Sequence, residues 1–414
     1  MNHTIQMTQT LTMTMNDNFN LKPQQRPEEI LKDKIVLVTG GTGSFGNAVV
    51  ERLSDLTLKR IIIFSRDEKK QNDMRNYYNN PLLKFIIGDV RDKESLDRIM
   101  EGVDYIFHAA ALKQVPSCEF FPLEAIKTNI FGAQNVIELA EKHNVKRLVI
   151  LSTDKAAYPI NVMGMTKALM EKIMIAASRR MVENNNQHTI FCGTRYGNVL
   201  YTRGSVLPHF VETIKQNKPL TLTNGKMTRF LLPLPQSVDL VLYALTKGEN
   251  GDMYIRKSPA TTMEILAQAV CEIFNHKPGY QEVGIRAGEK MHETLITREE
   301  MVRAQDQGNY YRIPSESQGL EYQKYFEEGK RIDIDEIEPF TSSNTRILTR
   351  EETIELLLTL PEIQHEQENF KRGEAIKSAV DSLLRIDTNN SGKQPTRLSE
   401  TEIFQRSPAT VKQN

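Results

Sequence analysis

Between Lys34 and Tyr196 the chain alternates short apolar runs with amphipathic stretches, and its first run empties into a glycine-rich turn, "VTGGTGSFG". The apolar runs "KIVLVT", "RIIIFSR", "KFIIGD", "DYIFHAA", "RLVILST" and "TIFCGTRY" have the length of strands, and most leave no polar face for water. Between them, "SFGNAVVERL", "DKESLDRIM", "EAIKTNIFGAQNVIELAEKH" and a long stretch from Met163 to Glu183 read as helices. Strands apolar on both sides need cover on both faces, so the pattern predicts an α/β fold with a doubly wound parallel sheet.

After about Asn198 the elements shorten: helices near "VLPHFVETIKQN", "SVDLVLYALTKG" and "TMEILAQAVCEIF", and a strand at "LTLTN", predict a smaller C-terminal lobe. The expected division is a polar extension over 1–32, a first domain over 33–198, a second lobe over 199–369 and a polar, disordered tail over 370–414. Lys plus Arg and Asp plus Glu both number 53, so net charge offers no pull toward nucleic acid or an anionic membrane. Cys118, Cys192 and Cys271 are too far apart for a disulfide framework or a paired-cysteine metal site; no metal is expected, and Cys118 reads as a packing residue. The first 30 residues lack a signal peptide's apolar run, and no segment approaches the roughly 20 apolar residues of a membrane span. A cytoplasmic enzyme is the expectation.

The glycine-rich turn lies between the first strand and the first helix. Gly40, Gly43 and Gly46 there allow a tight turn and bring backbone N–H groups, with those of Thr42, Ser44 and Phe45, against a pyrophosphate at the helix N-terminus. This is the Rossmann-like dinucleotide arrangement. At the end of the second strand, where an acidic residue would bind the ribose 2′-hydroxyl of NAD, Ser65 and Arg66 suit a 2′-phosphate, with Lys69 or Arg75 nearby, so NADP is favoured. Asp67 keeps NAD as the alternative. Asp89 and Val90 suit the adenine edge, and Ala109, Ala110 and Ala111 are small where a flat cofactor must pass the backbone.

The motifs "TGGTGSFG", "FSRDEKK", "HAAALKQVPSCEFFP", "LSTDKAAYPIN", "RYGNV", "RGSV" and "RAGEK" together resemble the extended short-chain dehydrogenase/reductases, and within them the C5-inverting UDP-N-acetylglucosamine 4,6-dehydratases. The resemblance covers about residues 33–365. It implies tightly bound NADP that is regenerated each turnover, a UDP-sugar substrate, and a homo-oligomer built from dimers, commonly a hexamer. It also implies oxidation at C4, loss of water across C5 and C6, and return of hydride to C6. The product would be UDP-2-acetamido-2,6-dideoxy-β-L-arabino-hex-4-ulose, a precursor of surface-glycan amino sugars.

By the same resemblance, Thr153 binds the C4 oxygen, Asp154 protonates the departing C6 hydroxyl and Lys155 takes the C5 proton, for which its amine must be neutral. Lys113 and Lys167 meet the cofactor, Lys113 also the sugar nucleotide. Asn198, Arg203, Ser205, Val206, Arg229, Arg286 and Glu289 meet the substrate. Met163 stands where the family's usual pair has Tyr four residues before Lys, and is similar to the capsular-polysaccharide branch. Met has no proton to exchange. The acceptor for the C4 hydroxyl is then Lys167, a water held by Lys167 and Thr153, or the phenol of Tyr158. A retaining dehydratase or a 4-epimerase on the same scaffold is the nearest alternative. A catalytically silent NADP-binding regulator is the more distant one.

Overall fold

The computed structural model describes residues 26–184, 188–286, 288–315 and 336–373. The polar extension up to residue 25, Ala287 of "RAGEK" and the tail from residue 374 lie outside the described residues.

Six parallel strands follow the expected runs: β1 (Ile35–Thr39), β2 (Arg60–Ser65), β3 (Leu83–Ile87), β4 (Tyr105–His108), β5 (Arg147–Leu151) and β6 (Ile190–Arg195). They lie in the order β6, β5, β4, β1, β2, β3, and β1 pairs in parallel with both β2 and β4. The chain therefore reverses its winding at β1. At such a switch point the carboxyl ends of the strands open into a crevice, where ligands of doubly wound sheets bind.

Alternate residues of the same strands feed two cores. Leu37, Ile62, Phe64, Ile106, Leu148 and Ile150 face one layer of helices. Val36, Val38, Ile61, Ile63, Phe107 and Val149 face the other. A period of two with both faces apolar explains why the strands read as unbroken hydrophobic runs.

Three further strands complete a nine-stranded sheet: Met253–Arg256 joins β6 in parallel, then Tyr310–Ile313 and Gln305–Gln307 add antiparallel edges. The helix Leu234–Lys247 also packs against this sheet, with Val238, Val241 and Leu245 in its core. The expected boundary at residue 198 thus cuts through the sheet, because the chain enters the second lobe, returns, and leaves again. Leu31, in the short helix Pro27–Leu31, is fully buried in that core, so the extension assigned through residue 32 ends earlier. The second lobe has its own core around the helices Val206–Lys215, Met263–Ile273 and Arg350–Leu358.

Two local departures from the sequence reading bear on the site. The helix Glu68–Tyr78 was not expected: it buries only Gln71 and Met74, so it has no apolar stripe, and its signal is the N-cap Asp67 accepting from the Lys70 N–H. The single helix expected at "EAIKTNIFGAQNVIELAEKH" is broken by a π-helical turn, Ile126–Phe131. Its buried Asn129 bonds the N–H and carbonyl of Leu112 and the Thr166 hydroxyl, tying the turn to the loop after β4. Such bulges mark functional regions.

Candidate active site

The crevice above β1, β4 and β5 is a cleft of about 840 Å³. Gly40 has φ +68°, and a Cβ there would lie 2.7 Å from the Ala110 backbone nitrogen. Gly46 packs the helix Ser44–Ser54 onto the turn, where a Cβ would meet Gly41 Cα at 2.5 Å. Neither position admits a side chain. The N-cap Gly43 provides no side-chain cap, so the first N–H groups of that helix face the cleft. This cradle fits a dinucleotide pyrophosphate.

Of the residues expected at the cofactor, Gly40, Thr42, Gly43, Ser44, Phe45, Gly46, Ser65, Arg66, Asp89, Val90, Ala109, Ala110, Ala111, Lys113 and Lys167 line the cleft. Lys69 does not. It points into solvent and pairs with Asp73 one helical turn away, at 2.8 Å; Lys70 lines the cleft in its place. Periodicity explains the swap, since adjacent helical residues face different ways and the helix itself was missed. Arg75 is turned away too, stacked over Phe85 at 5.1 Å. Arg66 reaches Asp89 at 3.7 Å and stays half exposed at the rim.

The reactive end lies at the carboxyl end of β5. Lys167, on the helix Val162–Glu183, is buried and donates from Nζ to the Leu151 carbonyl at 2.8 Å. Burial lowers its pKa to about 8, against the pull of Glu171 in the opposite direction. Glu171 is itself held by the buried Arg195, at 2.9 and 2.5 Å, and by the Ser152 hydroxyl. Arg195 also grips Glu300 at 2.7 and 2.8 Å and the Leu295 carbonyl, so one guanidinium joins the helix Val162–Glu183 to the second lobe.

Thr153, Lys155 and Met163 line the same cleft. Asp154 sits behind them, fully buried: its Oδ1 accepts from the Thr153 hydroxyl at 2.6 Å and from Lys155 Nζ at 3.1 Å. Its Oδ2 has no hydrogen-bond partner among the described residues. Direct protonation of a sugar oxygen by Asp154 does not fit this placement; a proton on it reaches the cleft through Thr153 or Lys155. Burial alone would favour the neutral Lys155 amine, but the carboxylates of Asp154 and Glu293 outweigh it and raise its pKa. The low-pKa lysine expected at 155 is therefore found at 167.

Met163 is buried against Cys118 and Ala125, a small apolar cluster in which Cys118 plays the packing role expected of it. Tyr158 is not poised as a proton acceptor. Its hydroxyl donates to Glu299 at 2.8 Å and accepts from the Arg298 N–H, fastening the loop after β5 to the second lobe.

Among the expected substrate residues, Lys113, Asn198 and Ser205 line the cleft, and Asn198 Oδ1 is buried with no partner among the described residues. Arg203 is exposed at the mouth, its N–H on the Ser44 hydroxyl at 3.3 Å, and Val206 begins the next helix. Arg229, Arg286 and Glu289 lie outside the cleft lining. Arg229 is bound to the Thr228 carbonyl at 2.8 Å and lies 3.7 Å from Glu293. Gly288 and Lys290 of "RAGEK" instead dock on the loop after β5: Asn161 Nδ2 donates to the Gly288 carbonyl at 3.0 Å and Lys290 Nζ to the Ala157 carbonyl at 2.6 Å. Lys290 and Glu293 were not foreseen, because their role depends on a contact over more than a hundred residues of chain.

The family described as polysaccharide biosynthesis protein matches residues 36–315, and its C-terminal companion, described as polysaccharide biosynthesis protein C-terminal, matches residues 317–364. Proteins named UDP-glucose 4-epimerase from Rickettsia bellii and Rickettsia felis are 56% and 54% identical over 342 residues, 81% of this chain and 99% of each relative. Among solved structures, Pen from Bacillus thuringiensis matches with a TM-score of 0.72 at 33% identity, covering 80% of this chain and 99% of that one. DesIV, a dTDP-glucose 4,6-dehydratase from Streptomyces venezuelae determined with NAD bound, matches at 0.56 and 22% identity, covering 62% of this chain and 86% of that one. That last likeness speaks to the fold alone.

Proposed function

This chain belongs to the polysaccharide biosynthesis protein family of nucleotide-sugar epimerases and dehydratases, and from that premise we propose that it is an NADP-dependent, C5-inverting UDP-N-acetylglucosamine 4,6-dehydratase. The observation that carries the reading is the pair of lysines in one cleft: Lys167, whose proton is loosely held, and Lys155, gripped by Asp154 and Glu293. A 4-epimerase needs one proton-transfer site, at the C4 oxygen. A dehydratase needs a second, at C5 and C6, and Thr153, Asp154 and Lys155 supply it.

The glycine cradle and the open helix N-terminus would hold the pyrophosphate, Ser65, Arg66 and Lys70 the 2′-phosphate end, and Ala109 to Ala111 with Lys167 the nicotinamide half. When bound, the nicotinamide accepts and returns hydride. Thr153 holds the C4 oxygen and Lys167 takes its proton, which leaves no task for the Tyr that Met163 replaces. Lys155 hands a proton to Asp154; the amine so freed removes the C5 proton, and the proton on Asp154 passes through Thr153 to the departing C6 oxygen. Return of hydride to C6 then calls for a proton at C5 on the face opposite the one deprotonated, and the proton that Lys167 took from the C4 oxygen makes up that balance, so only water leaves over a turnover.

The names of the Rickettsia relatives favour UDP-glucose 4-epimerase as a second reading. NMR of each UDP-sugar incubated with the protein in D₂O separates them. A 4-keto-6-deoxy product from UDP-N-acetylglucosamine, inverted at C5 and carrying deuterium there, supports the dehydratase. A C4-epimerised hexose without solvent deuterium would replace it with the epimerase, and unchanged substrates with NADP bound would leave the silent regulator. No helix among the described residues is long and apolar enough to cross a membrane, in keeping with a cytoplasmic role for this enzyme.

A further inference from the structure

We propose that Glu293 is a positioning residue of this reaction, delivered by the second lobe to hold Lys155 together with Asp154 and to share in setting how firmly Lys155 keeps its proton. The inference rests on the dehydratase reading for its meaning in catalysis, but not for its physical content. Glu293 Oε1 lies 3.4 Å from Lys155 Nζ and 3.7 Å from Arg229 Nε. Its side chain is buried, and its Oε2 has no hydrogen-bond partner among the described residues, as is true of Asp154 Oδ2. Two buried carboxylates thus lie within 3.4 Å of one ammonium, close enough to set its proton affinity.

The delivery is built into the backbone. The segment from Gly288 to Glu300 meets the loop after β5 and the end of β6 repeatedly: Gly288 on Asn161, Lys290 on Ala157, Leu295 and Glu300 on Arg195, Glu299 on Tyr158. Glu293 lies in the middle of this lacing. The Ser342 hydroxyl accepts from its N–H at 2.8 Å and fixes its backbone. The charged groups facing Lys155 are Asp154 beside it in the chain, Glu293 and Lys290 from the docked segment, and Arg229 from the strand Thr228–Phe230. Two acids and two further cations surround one amine, so removing any one of them changes its proton affinity in a known direction.

The test is the titration of the Lys155 Cε resonance in full-length protein labelled with ¹³C-lysine, assigned by its loss in Lys155→Gln. Glu293→Gln, which keeps the shape and removes the charge, is expected to weaken proton binding at Lys155 at least tenfold. Arg229→Gln is expected to strengthen it, which keeps the test open if Glu293→Gln does not fold. An unchanged Lys155 titration in a folded variant of either kind would overturn the proposal, whatever the enzyme turns over. With UDP-N-acetylglucosamine, Glu293→Gln should change kcat with KM altered less than about twofold, because it eases the transfer from Lys155 to Asp154, while the limb near pH 8 set by Lys167 stays in place. A uniform loss at every pH, with the titration unmoved, would make Glu293 a structural residue only. Absent turnover in the wild type would defeat the dehydratase reading and leave the titration to decide Glu293.

Discussion

Lys167 Nζ lies 2.8 Å from the carbonyl oxygen of Leu151, the last residue of β5, and that one bond sets the buried amine at the carboxyl edge of the sheet. A lysine in this position gives up its proton near pH 8, well below its ordinary 10.5, because burial disfavours its charge.

If Lys167 takes the C4 hydroxyl proton, kcat should rise with pH and level off above about 8. Lys167→Met should lose about a hundredfold or more of turnover. The sign for stability runs the other way from an ion pair. Below pH 8 the buried charge costs its full amount, on the order of 3 kcal/mol, and between pH 8 and 10.5 the unfolded chain binds the extra proton, so stability rises with pH. Urea unfolding should show Lys167→Met more stable than wild type at pH 7, with the gap closing by pH 10; a gap that is constant with pH would contradict it.

Arg195→Met strands Glu171 and Glu300 in a buried site. The expected loss is about 3–5 kcal/mol. Adding Glu171→Gln and Glu300→Gln to the same chain should recover much of it in a denaturant melt; no recovery would mean that the guanidinium matters for packing instead.

Gly46→Ala places a methyl group 2.5 Å from Gly41 Cα, against backbone that has nowhere to move. Dinucleotide binding, followed by fluorescence titration, should fall by at least tenfold, with a loss of stability of about 1–3 kcal/mol from the overpacked turn. Undiminished binding would show that the helix can shift without spoiling the cradle.

Arg66→Ala should erase most of a preference for NADP over NAD, a change of about 1.5–3 kcal/mol for a charged hydrogen bond. Lys69→Ala should leave the preference intact, since Lys69 is turned to solvent. Competition binding with the two dinucleotides measures both, and equal affinities in the wild type would return the choice to NAD.

Phe120, Phe121, Leu123, Phe131, Met165 and Leu169 are exposed on neighbouring elements beside the site. Apolar exposure of this kind suits a contact between copies of the chain. If this face joins copies of the chain, the wild type should run larger than a monomer in light scattering after size exclusion and Leu169→Glu with Phe131→Glu should run as a monomer; a wild type that is already monomeric would contradict it.

The sheet was legible because its strands are apolar on both faces and its first turn allows no side chain, constraints that act within a few residues. The cradle from Gly40 to Gly46 is legible for that reason, whereas the roles expected of Thr153 to Lys155 came from the family resemblance. Lys69 was misplaced because the helix carrying it has no apolar stripe to betray its phase. Arg229 was expected to meet substrate, but its guanidinium is held on the Thr228 carbonyl and beside Glu293. Glu293 and Lys290 left no local trace, since each acts on a partner more than a hundred residues away; Glu300 shows locally only as the capping partner of Thr297, which says nothing of Arg195. The raised pKa of Lys155 is owed first to Asp154, its neighbour in the chain, and only then to Glu293 from the second lobe.

The Arg195 clamp also sets a timetable for synthesis. Its partner Glu300 emerges 105 residues later, which at about 5–20 residues per second is a delay of roughly 5–20 s. For about the first half of that interval the nascent chain carries β6 without its neighbour Met253–Arg256, and for all of it an arginine with only half its partners. An unfinished sheet edge and then a half-paired charge leave the first domain short of its final packing until the segment ending at Glu300 has been made.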